Sequence, residues 1–196
     1  MNIRPAQKQD CQEVAKIHAK QINTGFLSEL GEKFLYSFYS AMTDSENAFL
    51  LVAEDNSRIV GFISGCFDLG GFYKEFVKKN KLKILPVLLK KIFNLGTANK
   101  IFETIKYSKK EKKDLPSAEL ISIAVLDEFQ GRGLAKELLN GLVDVMKERG
   151  ILIFKVVVGE NLGRANSFYK KNGFVFHSTE SVHKNRPSSI YIYNIN

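Results

Sequence analysis

The stretch Val125-Leu126-Asp127-Glu128-Phe129-Gln130-Gly131-Arg132-Gly133-Leu134-Ala135 decides how the chain is read. It joins an apolar, β-branched run, Leu120-Ile121-Ser122-Ile123-Ala124-Val125, to a run with Leu134, Leu138, Leu142, Val145 and Met146 at helical spacing. The first run predicts a buried strand and the second an amphipathic helix. A glycine-rich turn that opens a helix presents unpaired backbone N–H groups at the positive end of the helix dipole, which suits a phosphate or diphosphate. A side chain at 131 or 133 would hold such a group off the backbone, and glycine tolerates positive φ where the turn needs it. Arg132 and Lys136 either add charge there or face solvent. The bland alternative is a plain strand-to-helix turn with a glycine cap. The stretch is not a Walker loop, since no Gly-Lys-Ser/Thr follows, and not a dinucleotide fingerprint, since no third glycine comes at the required place.

A second block lies downstream. Ile151 to Val158 is another apolar strand pattern, followed by Gly159-Glu160-Asn161, then Ala165-Asn166-Ser167-Phe168-Tyr169, then Asn172-Gly173-Phe174. Together the two blocks resemble the GCN5-related N-acetyltransferase (GNAT) superfamily. Gln130, Gly133 and Ala135 fill the family's Gln/Arg-x-x-Gly-x-Gly/Ala loop, with Gly131 and Arg132 between. The downstream block is similar to its Asn-x-x-Ala-x-x-Phe-Tyr-x-x-x-Gly-Phe pattern. Asp127 stands where the family often has proline, and Asn161 lies eight residues before Tyr169 where seven is usual. Asn2-Ile3-Arg4-Pro5-Ala6 followed by Asp10 also resembles the family's first strand and helix start, whereas residues 67–117 match no motif.

The resemblance implies a mixed α/β fold with one central, mostly antiparallel sheet flanked by helices. It implies that strands 119–125 and 151–158 splay around the pantetheine arm of acetyl-CoA, the expected co-substrate. Cofactor contacts then fall to Ile123, Ala124 and Val125, to Gln130, Gly131, Arg132, Gly133, Leu134 and Ala135, and to Asn161 and Asn166. Backbone N–H groups of 123–125 would polarise the thioester carbonyl, because a developing oxyanion needs fixed donors. Tyr169 matches the family's general acid for the leaving thiolate. It also fits an ordinary aromatic packing beside Phe168, and Asn166 an exposed polar residue. Glu119, at the start of the motif strand, is the expected base, with Asp68 and His183 as lesser candidates and a water chain as another route.

At 196 residues the chain is long enough for one domain, taken as 1–196 with a helical insert at 67–117. No apolar segment is long enough to span a bilayer and the N-terminus does not read as a signal peptide. Cys11 and Cys66 lack metal-ligand spacing and read as reduced, buried thiols of a cytoplasmic protein; no metal site is expected. The net charge of +8 belongs to the insert, where 13 lysines face five acids; the remaining residues hold 16 basic and 16 acidic groups.

Asp10 is expected to cap a helix to about Gln21, with Val14, Ile17 and His18 on one face. Ser28 or Glu29 starts a second helix striped by Leu30, Phe34, Leu35, Phe38 and Tyr39. Residues 48–54 and 59–67 form a hairpin around a polar turn. In the insert, Leu82, Leu85, Leu88, Leu89, Ile92 and Phe93 have helical spacing, and Pro86 must start a helix or kink one. Residues 174–177 and 189–195 read as closing strands. The lysine-rich helix either forms a solvated lid, receives an anionic acceptor such as a nucleotide-linked amino sugar, or makes peripheral membrane contact through residues 72–113. Direct nucleic-acid binding lacks a recognition motif. The expected partner is a small-molecule amine, in a monomer or homodimer. A protein N-terminus or lysine is the alternative acceptor, and a non-catalytic acyl-CoA-binding module the alternative class.

Overall fold

The structure is a computed structural model that describes residues 1–22, 24–92, 115–183 and 186–195, with only the backbone described for Phe26, 81–92, 181–183 and 186. In chain order the elements are β1 (Asn2–Pro5), α1 (Cys11–Gln21), α2 (Phe26–Leu30), α3 (Glu32–Thr43), β2 (Ala48–Asp55), β3 (Arg58–Cys66), α4 (Leu69–Ile92), β4 (Glu119–Val125), α5 (Leu134–Glu148), β5 (Ile153–Gly159), α6 (Gly163–Lys171), β6 (Val175–His183) and β7 (Arg186–Asn194). Seven strands form one sheet in the order β1-β2-β3-β4-β5-β7-β6. Neighbours run antiparallel throughout except β4 and β5, which are parallel. The mixed, mostly antiparallel sheet expected from the sequence is therefore present.

Why these residues make these elements follows from their periods. In α5, Leu134, Leu138, Leu139, Leu142 and Met146 are buried, a stripe at three- and four-residue steps laid on the sheet. In β3 every residue after Arg58 is buried, as a central strand covered on both faces demands. The β2–β3 hairpin turns on Asn56 and Ser57, at φ 47° and 63°, the left-handed pair that matches strand twist. On the other side of the sheet, α1, α3 and the start of α4 bury an aromatic cluster in which Phe38 meets Phe72 and Phe76 edge-on.

Several sequence expectations are corrected. The second helix is two: Gly31, at φ 87°, separates α2 from α3. Asp10 does not cap α1 with its side chain; its carboxylate accepts from the Gln7 N–H at 2.7 Å and from Arg4 Nη1 at 2.7 Å. The helical path of the insert breaks at Asn80 rather than at Pro86, where the Asn80 amide bonds back to the Phe76 carbonyl at 3.1 Å. The closing strands are longer than the 174–177 and 189–195 expected. Phe93 lies outside the described residues, as do the side chains of Leu82, Leu85, Pro86, Leu88, Leu89 and Ile92, and that of His183.

Candidate active site

The parallel pair β4 and β5 meets at only two positions, Glu119 with Lys155 and Leu120 with Val156. Beyond them the strands part. From Ile121 to Val125 the edge of β4 turned toward β5 has no strand partner, so its main-chain groups are free to pair with an extended ligand. The departure begins where the β3–β4 ladder shifts register: Ser64 pairs with Ser122 and Gly65 with Leu120, leaving Ile121 as the extra residue of a bulge. The result is a V-shaped cleft, closed at Glu119 and Lys155 and open where β4 runs into α5.

The open end carries the glycine loop. Gly131 and Gly133 take φ of 74° and 85°, and Gly133 is the left-handed N-cap of α5. No neighbouring atom comes within 4 Å of where a side chain would sit at either, so it is the backbone angle, not crowding, that requires glycine. Among the described residues, the N–H groups of 131–135 have no acceptor; the next bonds of the segment run from Lys136 and Glu137 to the Gly133 carbonyl. An open cradle of unpaired donors at a 15-residue helix N-terminus fits a diphosphate. Gln130 fixes the cradle. Its amide donates to the Val125 carbonyl at 3.0 Å and contacts Gln21 Oε1 at 3.3 Å.

The two arginines near the loop behave differently. Arg132, inside the loop, lies over the Phe129 ring with its guanidinium carbon 5.5 Å from the centroid. Arg164, in the first turn of α6, reaches across the mouth and donates to Gln130 Oε1 at 3.2 Å. The sequence gives no local sign of this, since the partners are far apart along the chain.

On the β5 side, Asn166 is a brace. Its amide donates to the Gly159 and Leu162 carbonyls at 3.0 and 2.8 Å, and its oxygen accepts from the Tyr191 hydroxyl at 2.8 Å. Every polar group of the side chain is thus spent on the β5–α6 turn and β7. Asn161 is exposed, with its Oδ1 lying over Gly159. Tyr169 is buried among Phe168, Phe174 and Tyr191, and burial pushes its phenol well above the usual range. Its hydroxyl has no hydrogen-bond partner among the described residues, yet it is not sealed from solvent contact.

At the closed end, Glu119 and Lys155 form a buried ion pair, Nζ to Oε2 at 3.3 Å. The ammonium is directed at the Pro116 carbonyl, so Glu119 Oε2 is near a cation but lacks hydrogen-bond geometry. Burial raises the Glu119 carboxyl, and Lys155 opposes the rise. Tyr73 of α4 stands close enough to feel the charge of Glu119. The insert therefore begins at the closed end of the cleft. Asp68 is exposed at the start of α4.

A buried polar chain, unforeseen as a network, runs beneath β4. Ser28 donates to the Ile22 carbonyl at 2.5 Å, so it accepts from His18 Nε2 at 3.1 Å, which leaves Nδ1 to accept from the Tyr39 hydroxyl at 2.5 Å. Burial raises the Tyr39 phenol and the nearby Ser122 and Ser64 hydroxyls oppose the rise, while Ser64 Oγ donates to the Ser122 carbonyl at 3.4 Å. Burial lowers the His18 pKa to about 4, so the imidazole is neutral. The chain ties the α1–α2 connection to α3, with Ser64 of β3 and Ser122 of β4 close by. A histidine and a tyrosine on otherwise apolar stripes were its only sequence sign.

Among the described residues there is no group of three or more His, Cys, Asp or Glu placed to hold a metal, and no helix long and apolar enough to cross a membrane. No curated protein matches the chain in sequence. In structure it is similar to the PaiA N-acetyltransferase from Thermoplasma acidophilum in complex with coenzyme A, at 16% identity and a TM-score of 0.64, covering 98% of both chains. It is similar to the YncA protein of Salmonella typhimurium with its cofactor acetyl-CoA, at 15% identity and 0.64, covering 100% of this chain and 94% of that one. An N-acetyltransferase from Staphylococcus aureus Mu50 matches at 18% identity and 0.64, covering 98% and 100%. The model of the acetyltransferase (GNAT) family matches residues 19–174, with the splayed strands and the glycine cradle inside that span, and the chain belongs to this family of acyltransferases.

Proposed function

We propose that the chain transfers an acetyl group from acetyl-CoA directly to the nitrogen of a primary amine. The observation that carries this is the open edge of β4 leading into a cradle of unpaired N–H groups, the shape a pantetheine arm and its diphosphate need. Acetyl-CoA supplies the acetyl thioester. The N–H groups of 131–135 hold the diphosphate, with Gln130 setting the loop. Ile123, Ala124 and Val125 offer main-chain donors to the pantetheine and to the thioester oxygen. Asn166 and Asn161 act through the turn they shape. The amine attacks the carbonyl carbon, the carbon–sulfur bond breaks, and the departing thiolate takes its proton from Tyr169, a phenol kept protonated by burial and restored by the second proton that the acylated nitrogen sheds. Glu119, whose Oε2 makes no hydrogen bond although Lys155 Nζ lies 3.3 Å away, receives the proton the attacking ammonium must shed.

The acceptor is a small amine bearing an anionic group, for which a nucleotide-linked amino sugar is the model. Support comes from the 13 lysines of residues 67–117 and from Tyr73, through which the insert borders Glu119. The test is thiol release from acetyl-CoA with a panel of amines, anionic and neutral. Turnover favouring anionic amines is expected; binding of acetyl-CoA without turnover on any amine would sink the transferase reading. Tyr169→Phe should lower turnover roughly a hundredfold with little change in coenzyme A affinity, and an equal loss of both would assign Tyr169 to packing.

A further inference from the structure

We propose that Arg164 is the cationic clamp on the coenzyme A diphosphate, and that Arg132, despite lying within the loop, is not. The inference rests on the cradle at 131–135 holding that diphosphate. Arg132 lies over the Phe129 ring, its guanidinium carbon 5.5 Å from the centroid, a contact it would have to give up to meet the diphosphate. Arg164 approaches from the opposite arm and sits 3.2 Å from the oxygen of the residue that immediately precedes them.

Two features make Arg164 a residue waiting for an anion. Its described partner is a neutral amide oxygen, and among the described residues no carboxylate pairs with it. Guanidinium binds phosphate oxygens through paired, charge-assisted hydrogen bonds that are about twice as strong as neutral ones. A diphosphate on the cradle therefore outcompetes Gln130 for Arg164. The exchange leaves the loop intact, because Gln130 remains tied to the Val125 carbonyl through its amide. The aim of Arg164 is set from behind: Asn166, two residues on, fastens the first turn of α6 to the Gly159 and Leu162 carbonyls and to Tyr191. The clamp thus closes the mouth of the cleft over the bound diphosphate, joining the arm that carries the loop to the arm that carries Tyr169.

Calorimetric titration of coenzyme A and of dephospho-coenzyme A into the wild-type chain, R164Q and R132Q tests this. Arg164 is exposed, so R164Q is expected to fold as the wild type does. R164Q should weaken both ligands by the same factor, about tenfold, the effect of one lost charge-assisted contact, while R132Q stays within about twofold. The salt dependence of binding should be shallower for R164Q. Unchanged affinity in R164Q, a loss confined to the ligand with the 3′-phosphate, or an equal loss in R132Q would each overturn the proposal. Failure of the wild-type chain to bind coenzyme A would instead remove the reading of the cradle itself.

Discussion

The β4 arm of the cleft presents consecutive main-chain N–H groups, 131 to 135, whereas the α6 arm presents side chains, Arg164 and Tyr169, whose placement depends on residues far along the chain. The first arm needs only two glycines at positive φ and a helix start. The second needs Asn166, Tyr191 and an aromatic cluster that includes Phe174. The main-chain groups are thus placed by local backbone angles, and the side chains by the packing of the C-terminal half. Each half also has its own polar tie: His18 and Tyr39 beneath β4, and Asn166 with Tyr191 behind α6.

The largest effect should come from the local arm. Gly133→Val places a β-branched residue at φ 85°, a strain of about 2 kcal/mol. It also covers the adjoining donors, and loss of two charge-assisted bonds of about 1.5 kcal/mol each corresponds to roughly a hundredfold weaker coenzyme A binding. Retained affinity in a titration would show that the anchor is not main chain.

Nearly as large is a pH effect on the tie beneath β4. His18 is held neutral, with its pKa lowered to about 4 by burial, while the unfolded chain protonates near 6.5. Between these values the unfolded state binds the extra proton, so stability falls as pH drops, by about 3 kcal/mol across the window. His18→Phe, which keeps the stacking on Phe62, should lose this part of the acid slope in urea titrations from pH 7 to 4. An identical slope in the variant would place the titration elsewhere.

The distant arm should yield in smaller steps. Asn166→Ala removes the brace of the β5–α6 turn and should cost about 2 kcal/mol in denaturant unfolding, with Tyr191→Phe costing about 1 kcal/mol. Their effects should overlap in a double-mutant cycle, since both act through one 2.8 Å bond. Strict additivity would mean the bond contributes nothing.

How much of this was legible follows the same division. The strand, the glycine loop and α5 were readable because their signals are local: a β-branched run, two glycines and leucines at helical steps. The closing strands were read from residues but too short, and the parting of β4 from β5 came from resemblance more than from any residue pattern. The break at Gly31 was missed because the apolar stripe runs through it, and Asp10 was misassigned because a cap and a partner for Arg4 look alike in sequence. Arg132 drew attention by sitting in the loop, but Phe129 three residues earlier takes it. Arg164 and the role of Asn166 were illegible because each acts on atoms that only tertiary structure brings near. His18 and Tyr39 were seen as members of apolar stripes, but their link, across α1 and α3, exists only after the helices dock.

Two rungs are all that join the four strands β1–β4 to the three strands β5, β7 and β6. The helix α5 lies on β1 to β4 alone, so among the described elements this short ladder is where the two halves of the sheet meet. Cutting the chain in the exposed Arg149–Gly150 turn before β5 would sever a connection the hydrogen-bonded sheet scarcely uses. The fold is in effect perforated along its own cleft, and the gap between β4 and β5 is the line along which two separately made fragments would have to be brought back together.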